Sequence, residues 1–135
     1  MVYSSHYFSA NGYSMTTKVR NLTCIVCPKG CDLAVLRDAD GILIIKGNEC
    51  EHGHVYALEE MTAPVRVLTT TVALRGGRLP LLPVRSSAPL PRERLMACME
   101  VIAGVVATPP LGRGAPVVRY ILGTGVDMVA TRRGL

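Results

Sequence analysis

Four cysteines in the first half of the chain follow the spacing C-x2-C-x3-C-x18-C: they are Cys24, Cys27, Cys31 and Cys50. Three thiols within eight residues are a density that neither a helix nor a strand uses merely for packing. In a chain without a secretory signal, grouped cysteines are more often metal ligands or redox thiols than disulfide partners. The spacing therefore predicts that this segment folds around a metal centre with these four residues as its ligands.

A β-hairpin explains how the fourth cysteine returns to the first three. Two β-rich runs, 33–36 and 42–46, flank the turn-forming sequence Asp-Ala-Asp-Gly at 38–41. Counting outward from that turn places Leu36 opposite Leu43 and Cys31 opposite Asn48. Cys50 then follows the open end of the hairpin, within side-chain reach of the other thiols.

Four thiolates suit either a tetrahedral Zn²⁺ or a [4Fe–4S] cluster. Zinc sites commonly use two separated CxxC pairs, whereas a cubane is wider and takes three ligands from one short loop, so the spacing favours iron–sulfur. Gly30 and Gly53 are candidate cofactor-binding positions, because glycine lets backbone N–H groups approach the cluster sulfurs; ordinary turn geometry would also account for them. His52 and His54 are expected to be surface groups rather than replacement ligands.

The second half of the chain begins with a further pair of extended segments. Residues 65–74 are rich in Val, Thr and Leu, and the Gly-Gly sequence within 75–78 predicts a tight turn. Pro80 and Pro83 lack a backbone donor and predict an edge strand or an irregular return.

A change to helical periodicity follows. Apolar residues at 95, 99, 102 and 106 predict a helix over about 91–106 that ends before the proline pair at 109–110. Cys98 lies on the apolar face of that helix and is expected to be a core residue. Two further β segments are predicted at 117–122 and 126–130.

These patterns predict an α+β protein, with a small cysteine-cluster β-hairpin module followed by a small α+β lobe with one main helix. We expect a disordered tail or non-native extension at 1–15, with Met15 as a possible natural start, the four-cysteine metal-binding module at 16–62, and the lobe at 63–135.

Composition narrows the function classes. No apolar run reaches the roughly 18 residues needed to span a bilayer, and residues 1–14 lack the features of a secretory signal, so a cytoplasmic location is expected.

The net charge is +5, with five arginines between Arg75 and Arg94. No aromatic residues interleave with them, so nucleic acid binding is not expected; a solvated face or a docking face for an acidic partner remains. The sequence offers no separate catalytic set, which favours a non-catalytic subunit over an enzyme.

The sequence CIVCPKGCDLAVLRDADGILIIKGNECEHG resembles the cysteine-cluster segment of molybdopterin oxidoreductases, where a C-x2-C-x3-C loop and a later cysteine ligate [4Fe–4S]. The resemblance implies that the four cysteines are ligands and that Gly53 matches the glycine after the last one. The final spacing is shorter here, and His52 replaces a basic Lys or Arg.

A second resemblance covers residues 19–132. The runs TCIVCPKGC, GNECEHGHVYALEE, PVRVLTTTVAL and GTGVDMVATR, and PVR at 83–85, resemble the CxxC-motif-containing proteins of domain of unknown function family 1667. Members are suspected metal binders whose genes often neighbour flavin-dependent oxidoreductases and glycerol-3-phosphate dehydrogenase-like proteins. The resemblance implies an accessory protein that exchanges electrons with such a partner; a zinc-stabilised binding module without redox activity is the alternative.

Overall fold

The computed structural model describes residues 16–135. The tail or extension expected at 1–15 lies outside these residues. The chain divides into two compact units, with the division between Thr62 and Ala63. Within the described part of the chain, no helix is both long and apolar enough to cross a bilayer.

The first unit is a three-stranded antiparallel sheet with one helix packed against it. The strands lie side by side in chain order, and the helix contacts the second and third of them. Its core is formed by Cys24, Leu33, Val35, Ile45 and Ala57. The elements are β1 (Thr17–Thr23), β2 (Asp32–Arg37), β3 (Leu43–Lys46) and α1 (Glu51–Thr62).

The predicted hairpin is present as β2 and β3, but its register differs by one residue. Leu36 pairs with Ile44, not with Leu43. The loop has three residues rather than two, because Asp38 donates its N–H to the carbonyl of Ile42 at 3.0 Å and Gly41 becomes an extra loop residue with φ of 84°. The Asp38 carboxylate accepts bonds from the N–H groups of residues 40 and 42, which fixes this longer loop.

The second unit is built on a five-stranded sheet with one α-helix. The elements are β4 (Val65–Arg66), β5 (Thr69–Leu74), β6 (Leu81–Ser86), β7 (Leu90–Pro91), α2 (Leu95–Ala103), β8 (Val106–Ala107), β9 (Pro116–Val118) and β10 (Met128–Ala130), with 3-10 turns at Arg92–Arg94 and Ile121–Gly123. The sheet order is β8-β5-β6-β10-β9, with β5 and β8 parallel and the other pairs antiparallel, and β4 pairs separately with β7. Cys98 and Ile102 of the helix contribute to the core of this sheet.

Several details of the lobe differ from the sequence prediction. The extended segment predicted at 65–74 is divided into β4 and β5, and the segment predicted at 117–122 forms a strand only over Pro116–Val118. The proline-containing strand β6 lies inside the sheet rather than at its edge, because Pro83 sits at the end of the β10 pairing and still accepts a bond from the N–H of Thr131 at 3.0 Å. The helix begins at Leu95, after a 3-10 turn, rather than at about 91, and it ends at Ala103, since Gly104 follows it and Val106 joins a strand beside Ala73. The α+β class is confirmed.

Candidate metal centre

The first three cysteines lie in the loop that joins β1 to β2. Thr23 and Asp32 form the last strand pair before this loop. Cys24 then donates its backbone N–H to the carbonyl of Cys31 at 2.9 Å, which closes the loop at its base. Cys24 and Cys31 are therefore the first and last residues of an eight-residue loop, with Cys27 between them.

Cys50 comes to the same end of the sheet through a close crossing after β3. Gly47 has φ of 89°, and a Cβ at this position would lie 2.1 Å from the carbonyl oxygen of Asp32. Only glycine fits such an approach without displacing the backbone. Asp32 directly follows Cys31, so this crossing keeps the segment that leads to Cys50 beside the cysteine loop. The side-chain amide of Asn48 then donates to the carbonyl of Cys50 at 3.2 Å.

The first turn of α1 lies against the sulfur of Cys24. Gly53 is buried in this turn, and a Cβ added to it would lie 3.7 Å from Cys24 Sγ and 3.3 Å from Asn48 Cβ. Cys50 immediately precedes the helix. The N-terminal end of α1 carries unpaired backbone N–H groups and a partial positive charge, so this end of the unit favours a negatively charged group.

An ion pair ties the cysteine loop to the residue before Cys50. The Lys29 ammonium contacts the Glu49 carboxylate, and each side chain is 59% exposed. The pKa of Lys29 is raised, chiefly by the hydrogen bond and charge of Glu49 and further by the nearby thiol groups of Cys31 and Cys27. Lys29 therefore lies where negative charge on the cysteine loop would accumulate.

The four thiols differ in exposure. Cys24 is buried, Cys31 is partly buried, and Cys27 and Cys50 are exposed; all are free thiols. Among residues 16–135, no three His, Cys, Asp or Glu side chains converge closely enough to hold one metal ion. The structure thus gathers the cysteine-bearing segments at one end of the first unit without a preformed site for a single metal ion among the described residues.

The other residues that the sequence singles out are two histidines, a glycine and a fifth cysteine. Gly30 has φ of 64°, a conformation that favours glycine, and a Cβ there would meet only the Thr23 methyl group at 3.9 Å. His52 is exposed, and His54 lies 3.7 Å from the Glu51 carboxylate. Cys98 is fully buried in the core of the second unit, as predicted, and is not part of this site.

Sequence reasoning missed three residues that position the site. Gly47, Lys29 and Glu49 hold the two cysteine-bearing segments together, as described above. The charge pair carries no signal in the sequence, because its members are twenty positions apart. Gly47 does carry a sequence signal, because it lies directly after a strand and just before Cys50, where the chain must change direction sharply.

Comparisons with known proteins bear on the family. The NMR structure of Clostridium perfringens protein CPE0013 is 25% identical in sequence, with a TM-score of 0.49, and the match covers 52% of this chain and 84% of that one. No curated protein matches. The profile of the family described as "Protein of unknown function (DUF1667)" matches residues 51–132, so it begins directly after Cys50 and leaves the four cysteines outside. Since that match spans more than half of the chain and confirms the predicted family, the protein belongs to this family of proteins of unknown function.

Proposed function

We propose that this protein is a metal-binding accessory protein that carries a [4Fe–4S] cluster on Cys24, Cys27, Cys31 and Cys50 and exchanges electrons with a flavin-dependent oxidoreductase. The observation that carries the proposal is the gathering of the two segments that bear the four cysteines at one end of the first unit. When bound, such a cluster supplies one-electron redox chemistry.

The donor set fits this group. Four thiols provide the all-sulfur coordination of a cubane, and three of them come from one eight-residue loop closed at its base. The N-terminal end of α1 and the ammonium of Lys29 supply positive charge beside a centre that four thiolates make anionic. Backbone N–H groups near the sulfurs and local charge are the features by which a protein tunes cluster potential.

The zinc alternative is less well supported. Zinc–sulfur bonds of about 2.3 Å bring four sulfurs into a tight tetrahedron. Within residues 16–135 no three ligand side chains converge on one metal ion, and this holds equally for either centre. The spacing is what favours the cubane: three of the four cysteines lie on one short loop, whereas zinc sites commonly use two separated CxxC pairs.

Charge supports docking to an acidic partner. Residues 63–135 contain ten arginines and no lysine against three acidic residues, whereas residues 1–62 contain five basic and seven acidic ones. Arg75, Arg78 and Arg85 are exposed on the second unit. Complementary charge accelerates and orients such encounters, and its effect weakens as salt shortens the Debye length below about 10 Å.

The test of the cofactor is anaerobic purification followed by iron, acid-labile sulfide and zinc analysis. The proposal expects a brown protein with about four irons and four sulfides per chain, and an electron paramagnetic resonance signal on reduction. Cys98→Ala is the matched control, because it removes a thiol outside the site. Stoichiometric zinc with neither iron nor sulfide would establish the zinc-stabilised module instead.

The test of the partner is co-purification with a flavin-dependent oxidoreductase, including glycerol-3-phosphate dehydrogenase-like proteins, at low and high salt. Charge reversal at Arg75, Arg78 and Arg85 should weaken the association. If neither high salt nor these reversals weakens the association, the interface lies elsewhere on the protein.

A further inference from the structure

A cavity of about 280 Å³ in the second unit is lined mainly by arginine. Its lining residues are Arg78, Leu79, Arg132, Arg133 and Leu135. This volume is close to the lower end of the range of small-molecule sites, roughly 300–1,000 Å³. The sequence gives no hint of the grouping, because Arg78 is more than fifty residues away from the other two arginines.

Backbone hydrogen bonds hold the two arginine-bearing segments together. Arg78, in the turn between β5 and β6, donates its N–H to the carbonyl of Leu135 at 2.6 Å. Gly134 and Leu111 exchange two bonds of 2.9 Å, and the N–H of Thr131 donates to Pro83 at 3.0 Å. These contacts fix residues 131–135 against the sheet, so the arginines are presented from a rigid frame.

One of the three guanidinium groups is itself positioned. Arg132 donates a hydrogen bond from Nη2 to the carbonyl of Leu81 and is partly buried. A guanidinium carries five N–H donors, so four remain for another acceptor. The side chains of Arg78 and Arg133 are exposed and make no described hydrogen bond, which leaves all of their donors available.

No side-chain carboxylate of the described residues neutralises this cluster; the one carboxyl group beside it is that of Leu135, whose oxygen accepts the Arg78 N–H, so three guanidinium groups face at most one carboxylate. Within residues 16–135, neither Arg78, Arg132 nor Arg133 forms an ion pair, and the pairs around the cysteine site involve other residues. Three like charges around one cavity repel one another, so an anion that enters the cavity relieves this repulsion as well as forming charge-assisted hydrogen bonds.

We propose that this cavity is a binding site for the phosphate group of a small phosphorylated molecule. The planar fork of donors in arginine matches phosphate oxygens in a bidentate manner. Leu79 and Leu135, which are 52% and 56% exposed, offer an apolar wall for the organic part of the ligand. The small volume of the cavity favours a small molecule over an acidic segment of another protein.

The experiment is an NMR titration of the full chain with inorganic phosphate and with phenyl phosphate at constant ionic strength. We expect saturable shifts confined to the amides of residues 76–81 and 131–135, and tighter binding of phenyl phosphate. Arg78→Gln and Arg133→Gln should each weaken binding by about tenfold, a change readily resolved in such a titration. Neither side chain makes a described hydrogen bond, so the fold should persist.

Arg113→Gln is the matched control, since it removes the same charge from an exposed position of the same unit outside the cavity. Equal weakening in the control, or shifts spread over the whole surface, would reduce the effect to general electrostatics and overturn the site. Stronger binding of a hexaglutamate peptide would overturn it in favour of an acidic protein partner. Replacing Cys50 by serine should leave phosphate binding unchanged, which separates this test from that of the cluster.

Discussion

Replacing Gly47 by alanine tests whether the crossing after β3 holds the cysteine site together. The new Cβ would lie 2.1 Å from the carbonyl oxygen of Asp32 and 3.2 Å from its carbon. Because both are backbone atoms at the start of β2, no side-chain rotation can relieve the overlap. The chain must move at 47–48, at Asp32, or at both, and Cys50 follows only three residues later.

The expected cost can be divided into two parts. A left-handed conformation, here with φ of 89°, costs a residue with a Cβ roughly 1–2 kcal/mol. Forcing an extra carbon into a filled space costs roughly 1–3 kcal/mol more. We therefore expect Gly47→Ala to lower the free energy of unfolding of the first unit by about 3 kcal/mol, and to reduce metal content because Cys50 is displaced.

Gly41→Ala is the control, because the difference between the two variants isolates the steric part of the cost. Gly41 has φ of 84°, nearly the same as Gly47, but nothing lies within 4 Å of its Cβ position. This variant should lose only the conformational part, roughly 1–2 kcal/mol, and keep its metal. Amide hydrogen exchange of β2 and β3 measures the stability, and iron analysis measures the site. Equal destabilisation by the two substitutions would refute the steric reasoning.

Three further substitutions test the remaining contacts. Cys50→Ser should abolish metal binding and loosen the first unit while residues 63–135 keep their amide spectrum, because metal binding and folding are coupled in small metal-binding modules; full metal occupancy would remove Cys50 from the ligand set. Cys98→Ala should keep the metal and lower the stability of the second unit by about 1–2 kcal/mol, since it leaves a small cavity in a closed core; loss of metal would contradict that placement. Glu49→Gln, which removes the partner of Lys29, should leave the stability almost unchanged because the pair is well exposed, and a clear loss of stability in urea unfolding would show that the ion pair is structural.

The hairpin shows what the sequence can predict and where it stops. β-branched and aliphatic runs around Asp-Ala-Asp-Gly identify β2 and β3 correctly. The register depends on whether the loop has two or three residues, and that is decided by the Asp38 carboxylate, which accepts bonds from residues 40 and 42 at 3.0 and 2.8 Å. Side-chain capping of a turn is a local choice that apolar periodicity does not reveal.

The helix α1 was not predicted, for a different reason. Its buried positions are Gly53, Ala57 and Glu60, at helical spacing but without large apolar side chains. An amphipathic stripe is therefore absent, although residues 57–61 are strong helix formers. The small residues are what allow the helix to approach the sheet and the sulfur of Cys24 closely.

Strand β1 was likewise missed, because Thr17–Thr23 is polar and mostly exposed. Its place is fixed by pairing with β2, and a bulge shifts that register between Lys18 and Arg20. The cysteine loop is consequently a hairpin loop with strands on both sides. The cysteine spacing predicts the residues of the candidate site, but not the strand β1 and the helix α1 that support them.

The division of charge between the two units restricts the charge distribution that a partner surface can have. Residues 63–135 carry seven more basic than acidic residues, while residues 1–62 carry two more acidic than basic ones, and four thiolates around a cluster would add negative charge to the latter. A uniformly acidic partner would be attracted by the arginines but repelled from the cysteine end, where electron exchange requires close approach. The proposed redox partner should therefore present an acidic region to the second unit and a neutral or basic region around its own redox centre. Because the attraction and the repulsion are both screened by salt, raising the ionic strength should weaken the complex while making the approach to the cysteine end less unfavourable.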